Sequence, residues 1–165
     1  MSSVAGRTVG DTTLRRFSRY LPLILWMALI AFASTGQFSA ANTSRILGPF
    51  FLWLFPDISP ERLVTLHSLA RKGAHFAEYF LLGLLAARAF GSSGTKSIRK
   101  FWFRWAMLLV VVYALLDEYH QTFVPSRSAS IYDCLIDIGG GLTAILVYLA
   151  WLNSSWKPQK DLKDN

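Results

Sequence analysis

Ionisable side chains recur at helical spacing inside an apolar stretch of this 165-residue chain. Arg71, His75 and Glu78 are spaced by four and then three residues, so a helix would place them on one face. A charged residue at mid-bilayer costs on the order of 3 kcal/mol, and such residues usually mark functional sites. The spacing therefore predicts a polar site, with His75 and Glu78 as acid or base groups and Arg71 as a ligand-binding group.

Two later apolar stretches carry polar residues at the same spacing. Asp117 and Gln121 are four residues apart, with Glu118 beside Asp117, and Asp133 and Asp137 are also four apart. Crowded carboxylates in a medium of low dielectric constant acquire different proton affinities, which suits general acid and base work. Asp117 and Glu118 are therefore candidate acid or base groups, and Gln121, Asp133 and Asp137 are candidate ligand-binding groups.

The carboxylates of the three stretches are expected at one depth. With a rise of 1.5 Å per residue, Glu78, Asp117 and Asp137 lie about 12, 10 and 9 Å below the same membrane edge. Lys72 and Arg127 would stand near that edge, where they could bind an anionic headgroup together with the deeper residues. The pattern predicts a cup that opens on one side of the membrane.

Each of these residues also has a purely structural interpretation. Asp133 follows Ser130 in the S-x-x-D pattern of a helix start, so it could be a cap. Arg71 and Lys72 could anchor a helix at the interface, and His75 could bridge helices. Three tyrosines are interpreted as members of the interfacial aromatic belt: Tyr79, Tyr119 and Tyr132.

Composition indicates an integral membrane protein. Hydrophobic residues make up 53% of the chain and charged residues 16%, whereas soluble domains carry about 25% charge. The net charge of +7 is not accompanied by a nucleic-acid-binding motif, so no nucleic-acid partner is expected. Cys134 is the only cysteine, which excludes an intramolecular disulfide.

The predicted fold is an all-α bundle of four transmembrane helices. A spanning helix needs about 20 apolar residues, and four segments reach or approach that length. A fifth segment, 46–56, is too short to span and contains two prolines, so it is interpreted as re-entrant or interfacial. The four segments lie at about 20–36, 74–90, 105–123 and 131–151.

The second of these helices is expected to begin well before the membrane. Ser59 is a good cap, Pro60 suits the first helical position, and no strong helix breaker follows before Phe90. A single helix of some 30 residues is predicted. The glycine- and serine-rich stretch 91–97 then predicts a flexible loop.

Lys and Arg residues predict the orientation. Twelve of them flank one side of the predicted spans and five the other, which puts both termini in the cytoplasm. The chain divides into a cytoplasmic tail 1–19, a membrane domain 20–152 and a cytoplasmic polar tail 153–165. The triplet AFA at 31–33 is also typical of a signal-peptidase site, so retention of residues 1–33 stays open.

Two segments resemble the VanZ-like membrane proteins. RKGAHFAEYFLLGLL from residue 71 matches the family pattern K-x-x-H-F-x-E-Y, and DEYHQTFVPSR from residue 117 matches D-E-x-x-Q-x-F-x-P-x-R. The resemblance covers about residues 20–150 and departs at Asp137, where many relatives have Asn. It implies a four-span protein of the bacterial cell envelope, in a family named after a teicoplanin-resistance protein. It implies no particular reaction.

Three functions stay open. The first is a site, facing the cell exterior, that binds or acts on an amphiphilic or cell-wall-linked ligand, with or without catalysis. A divalent metal could bind His75, Glu78, Asp117 and Asp133, but without an H-E-x-x-H pattern it is not favoured. The alternatives are a non-catalytic membrane partner or scaffold and a small proton or ion pathway. The apolar inner halves of the spans argue against a pathway.

Overall fold

The computed structural model describes residues 9–35, 40–125 and 130–155, and these residues form helices joined by short connections, without a strand. The predicted all-helical class is therefore confirmed. The helices are α1 (Val9–Ala33), α2 (Ala40–Leu54), α3 (Pro60–Gly91), α4 (Lys96–Lys100), α5 (Trp102–Gln121) and α6 (Ile131–Ser155).

Helix α3 begins as its sequence predicts. Ser59 has an extended backbone, and its side chain accepts a hydrogen bond from the Arg62 backbone N–H at 3.4 Å. Pro60 occupies the first turn, where its missing N–H leaves no hydrogen bond unmade. The helix then continues for 32 residues, about 48 Å at 1.5 Å per residue, which confirms the predicted long helix.

Helix α3 is central, because α1, α2, α5 and α6 all pack against it. It runs parallel to α6: Arg71 pairs with Asp133 and, one turn later in both helices, His75 approaches Asp137. Parallel neighbours need a connection that returns along the bundle, and α5 provides it. The contacts Arg71–Asp133 and His75–Asp137 are four residues apart on both helices, so α3 and α6 stay in register over a full turn.

Helices α1 and α5 run opposite to α3. On α1, the Trp26 indole N–H donates to the Glu78 carbonyl, while Tyr20 reaches Ser93 beyond the far end of α3. On α5, Tyr113 lies against Tyr79, with ring centroids 6.4 Å apart. The four long helices thus alternate in direction along the chain.

Glycines set the close approach of α3 and α6. A Cβ on Gly140 would overlap the Phe76 carbonyl oxygen, and a Cβ on Gly83 would overlap the backbone of Gly141. Gly141 also lies against Val110 of α5. Gly140 follows Asp137 by three residues and so continues the polar face of α6. Small residues commonly allow close packing of membrane helices.

One helix among the described residues, Ile131–Ser155, is long and apolar enough to cross a membrane by length and composition. The apolar part of α1, Phe17–Ala33, is shorter. Large apolar side chains are nevertheless exposed around the bundle, such as Ile24, Leu116 and Val147, as on a surface that meets lipid. The four-span arrangement stays a prediction.

Two shorter segments complete the described fold. The segment 46–56 belongs mostly to α2, which has Pro49 inside it and is 15 residues long. At about 22 Å it is too short to span, and its interfacial placement stays a prediction. The predicted loop 91–97 is shorter in the structure, because α3 extends to Gly91 and α4 begins at Lys96. Within it Ser93 is buried and accepts a hydrogen bond from Tyr20 at 3.0 Å, and the flexibility of the loop stays a prediction.

Candidate functional site

A cavity of about 320 Å³ lies between α1, α2, α3 and α5. Helix α3 contributes Arg71, His75 and Glu78 to it, the three residues that the helical spacing puts on one face. Helix α5 contributes Asp117 and Gln121, one turn apart. The structure therefore brings these five sequence-predicted side chains to one wall of a common space.

The rest of the cavity wall is mainly apolar. Two polar side chains occur in it, Ser34 at the end of α1 and Thr43 on α2. Ser34 is 4% exposed, and its hydroxyl oxygen has no hydrogen-bond partner among the described residues. The apolar lining residues are Leu29, Ile30, Ala33, Leu47, Ala70 and Ala74. The space is therefore amphiphilic, with one charged side and one side of hydrocarbon.

Behind the cavity, α6 supplies a carboxylate to each of two α3 residues. Arg71 Nη2 donates to Asp133 Oδ2 at 2.9 Å, and Asp133 is 4% exposed. His75 Nδ1 lies 3.2 Å from Asp137 Oδ1, within ion-pair distance but outside hydrogen-bond geometry. Neither oxygen of the fully buried Asp137 has a hydrogen-bond partner among residues 9–35, 40–125 and 130–155. A buried carboxylate in this state depends on the adjacent imidazole for compensation.

The two polar residues of α5 contact each other. Gln121 Nε2 donates to Asp117 Oδ2 at 3.0 Å, and both side chains are buried. Residues four apart on a helix are neighbours, so this contact is local to α5. Because the amide fixes one carboxylate oxygen, the orientation of Asp117 towards the cavity is defined by its own helix.

Four predicted site residues that the structure describes do not line this cavity: Lys72, Glu118, Asp133 and Asp137. Glu118 lies instead in a shallow groove between α5 and α6, where its Oε2 accepts the Ser130 backbone N–H at 2.7 Å. That contact fastens the start of α6 to α5, which is a structural role. Lys72 is exposed on another face of α3, and Asp133 reaches the site through Arg71. Arg127 lies outside the described residues.

Sequence reasoning missed the buried position of Tyr79. Its side chain is fully buried, so its interpretation as an interfacial belt residue is wrong, whereas Tyr119 and Tyr132 are exposed. The signal was present, because Tyr79 is four residues after His75 and continues the buried face of α3. The wall formed by α1 and α2 was also missed, although Ser34 ends the first apolar segment at the level predicted for the cup.

The described part of the chain contains no group of three His, Cys, Asp or Glu side chains arranged to hold a metal ion. Of the four residues considered for a metal, His75, Glu78 and Asp117 line the cavity, while Asp133 is occupied by Arg71.

Comparison with known proteins identifies a family. The sequence model described as VanZ/LLP1 matches residues 19–152, which includes α3, α5 and nearly all of α6. No curated protein and no solved structure gives a significant match.

Proposed function

Because the chain belongs to the VanZ/LLP1 family, we propose that it is a multi-pass protein of the bacterial cell envelope whose cavity binds an amphiphilic or cell-wall-linked ligand. One observation carries the proposal: the cavity joins a charged wall on α3 and α5 to a hydrocarbon wall on α1 and α2. Ligand pockets are generally lined by apolar groups with a few placed polar groups, and this space fits that description.

Four spans with cytoplasmic termini are part of the proposal. The alternating directions of α1, α3, α5 and α6 support it, since each reversal would carry the chain back across the membrane. Basic residues support the orientation: Lys96, Arg99, Lys100 and Arg104 lie at the end of the bundle opposite the cavity. On the positive-inside rule this end is cytoplasmic, so the cavity opens towards the outside of the cytoplasmic membrane.

The ligand would lie with its headgroup against the polar wall and its chain against Leu29, Ile30 and Leu47. Each methylene group removed from water contributes about 0.8 kcal/mol, so a short stretch of chain would add useful affinity for a ligand that arrives from water. A ligand that arrives from the bilayer gains little from this wall, and its recognition would come from Arg71, Asp117 and their neighbours.

A through-going ion pathway is disfavoured by what lies beneath the cavity. Beyond Tyr79, the fully buried side chains of α3 and α5 are apolar, including Leu82, Ala86, Ala106 and Val110. A proton or ion relay needs polar groups or water along its length. The arrangement supports a cup that is closed towards the cytoplasm.

A link to glycopeptide resistance follows from the family name and belongs to the proposal. Glycopeptides act outside the cytoplasmic membrane, the side on which the cavity is proposed to open. Binding of an envelope amphiphile there could alter the amount or position of a wall-linked target. Glycopeptide susceptibility of a deletion strain is therefore the first phenotype to measure.

A reaction on the bound ligand is the second candidate, favoured by the approach of His75 to Asp137. A histidine oriented through Nδ1 by a carboxylate can accept or donate a proton through Nε2. Asp137→Asn keeps the size of the side chain and removes the charge. Under this candidate, the variant retains ligand binding and loses turnover, whereas equal function in both proteins contradicts it.

The test of binding uses two phenylalanine substitutions on one helix. Ala74 lines the cavity, while Ala77 is exposed on a different face of α3 and is not part of the lining. Ala74→Phe should fill the space, and Ala77→Phe is the matched control. Native mass spectrometry of gently purified protein should detect a retained amphiphile in the wild type and the control, and at least about tenfold less in Ala74→Phe.

The outcome that contradicts the proposal is equal retention in all three proteins. Equal retention would mean that the amphiphile binds the outer, lipid-facing surface rather than the cavity. Thermal stability of each protein in detergent should be measured alongside, so that loss of ligand is not confused with loss of fold.

A further inference from the structure

We propose that the protein binds an anionic phospholipid in a groove between α1 and α5, with the phosphate at the basic end of the bundle and one acyl chain along the groove. This α1–α5 groove has a volume of about 350 Å³ and shares no lining residue with the cavity. Helix α5 forms one wall with Leu108, Val112 and Leu116, and the other wall contains Met27 and Phe90. The inference does not depend on the amphiphile site in the cavity.

The groove is apolar and open to the bilayer. Leu108, Val112 and Leu116 are spaced by four residues, so they form one stripe along α5, and each is about half exposed. The Tyr113 hydroxyl donates to the Met27 carbonyl oxygen and so joins α5 to α1 across the groove. A surface of this kind needs hydrocarbon against it, from a lipid chain or from another helix.

The length of the groove matches one leaflet. Its α5 wall extends from Trp105 to Leu116, which is about 16 Å at 1.5 Å per residue. The hydrocarbon core of a bilayer is about 30 Å thick, so the groove covers roughly half of it. One acyl chain of the leaflet at the Trp105 end can therefore lie along the groove.

Basic residues gather at that end of the bundle. From residue 79 to residue 116 the chain has five Lys or Arg residues and no Asp or Glu. The nearest acidic residues along α3 and α5 are 10 residues before Arg88 and 13 residues after Arg104, about 15 and 20 Å away. Within the described part of the chain none of the five basic residues forms an ion pair. The five are Arg88, Lys96, Arg99, Lys100 and Arg104.

Arg104 continues the apolar stripe of α5 towards the headgroups. It precedes Leu108 by four residues, so the helix puts both on one face. Its guanidinium carbon lies 5.3 Å from the centroid of the Phe101 ring, and Lys100 Nζ lies 5.2 Å from the same centroid. Cation–π attraction thus holds two positive charges at one ring. A phosphate between them replaces their mutual repulsion by attraction to both.

Helix α1 supplies a third basic side chain at this end. Arg19 precedes Tyr20, whose ring packs against Phe90 of the groove with centroids 6.4 Å apart. Arg19 Nη1 lies 3.8 Å from the position that a Cβ would have on Gly94. Both helices that flank the groove therefore place a guanidinium group at its basic end. A neutral lipid or an apolar helix would fill the groove but leave these cations without an anion.

The test compares two lipids with identical chains. Phosphatidylglycerol carries a net negative charge, whereas the ammonium of phosphatidylethanolamine cancels the charge of its phosphate. Each is titrated into purified full-length protein in neutral detergent, and binding is followed by native mass spectrometry. Wild-type protein should bind phosphatidylglycerol at least about tenfold more tightly. The preference should shrink to within about threefold when the ionic strength is raised from about 0.1 M to 1 M, because the Debye length falls from about 10 Å to 3 Å.

Arg104→Gln should reduce the preference to within about threefold, because it removes the charge and keeps a polar side chain of similar length. Arg62→Gln is the matched control, since Arg62 is exposed in the first turn of α3 at the opposite end of the bundle, and it should keep the full preference. The salt dependence of the wild type stands even if a variant fails to fold.

Val112→Phe should fill the groove and weaken binding of phosphatidylglycerol at least about fivefold. Val147→Phe on α6 is its control, because Val147 is similarly exposed and lies outside the groove. Ala74→Phe, which fills the cavity, should leave this binding unchanged. The cavity and the groove are therefore told apart by separate variants.

Four results overturn the inference. Equal affinity of wild-type protein for the two lipids refutes an anionic-lipid site, and a preference that survives both Arg104→Gln and Arg19→Gln refutes these cations as its cause. Binding that Ala74→Phe removes and Val112→Phe does not change places the lipid in the cavity, which leaves the amphiphile site standing. A dimer that Val112→Phe dissociates, with lipid binding unchanged, assigns the groove to a second copy of the chain.

Discussion

Two adjacent glycines of α6 should respond differently to substitution by alanine. A Cβ on Gly140 would overlap the carbonyl oxygen of Phe76 and crowd its carbonyl carbon and Cα at 3.1 and 3.2 Å. A Cβ on Gly139 meets nothing within 4 Å. The obstruction at Gly140 is backbone, which cannot rotate away, so α3 and α6 must separate.

The magnitude follows from comparing the two variants. The gain in helix propensity from glycine to alanine, up to about 1 kcal/mol, is common to both and cancels in the difference. What remains is the overpacking cost, about 1–3 kcal/mol. Gly139→Ala should therefore be neutral or stabilising, while Gly140→Ala should be less stable than Gly139→Ala by about 2 kcal/mol.

The assay is equilibrium unfolding in mixed micelles, titrated with a denaturing detergent and followed by tryptophan fluorescence. Equal stability of the two variants would refute the parallel, close packing of α3 on α6.

Two further predictions concern the Arg71 pair and the topology. Arg71→Met should cost about 2 kcal/mol, less than the roughly 3–5 kcal/mol for breaking a fully buried ion pair, because Arg71 is 31% exposed. Adding Asp133→Leu should recover most of the loss. Thermal unfolding measures both variants, and a double variant less stable than the single one would contradict the pairing. In a Cys134→Ser background, a membrane-impermeant maleimide added outside should label cysteine in place of Asp57 and spare cysteine in place of Lys96, and the reverse pattern would overturn the orientation.

Local features of the sequence were sufficient to predict the main elements. The cap at Ser59 and the proline after it define the start of α3, because both act within one turn. The spacing of Arg71, His75 and Glu78 defines a shared face for the same reason. These predictions need no information about the neighbouring helices.

Pairing between helices could not be predicted from spacing alone. The contacts of Arg71 with Asp133 and of His75 with Asp137 depend on the parallel register of α3 and α6, which close backbone packing at Gly140 helps to set. A spacing of four within each helix is compatible with several registers. The partners therefore emerge only from the three-dimensional structure.

Two pairs of sequence neighbours that were predicted to share the site are separated in the structure. Successive residues on a helix point about 100° apart, so neighbours seldom serve the same site. Asp117 lines the cavity while Glu118 faces the start of α6, and Arg71 lines it while Lys72 is exposed. The hydrocarbon wall was missed for a different reason, since apolar residues that line a pocket look like those that face lipid.

The most direct test of the functional cavity is a paired measurement on Asp117→Asn. In a strain without the native copy, membrane-inserted protein is quantified beside the envelope phenotype of the deletion, beginning with glycopeptide susceptibility. Because the amide can keep the Gln121 contact while losing the charge, a functional cavity predicts normal protein level and lost function. Normal level with full function would contradict a functional cavity, and a parallel fall of both would assign the charge to the scaffold.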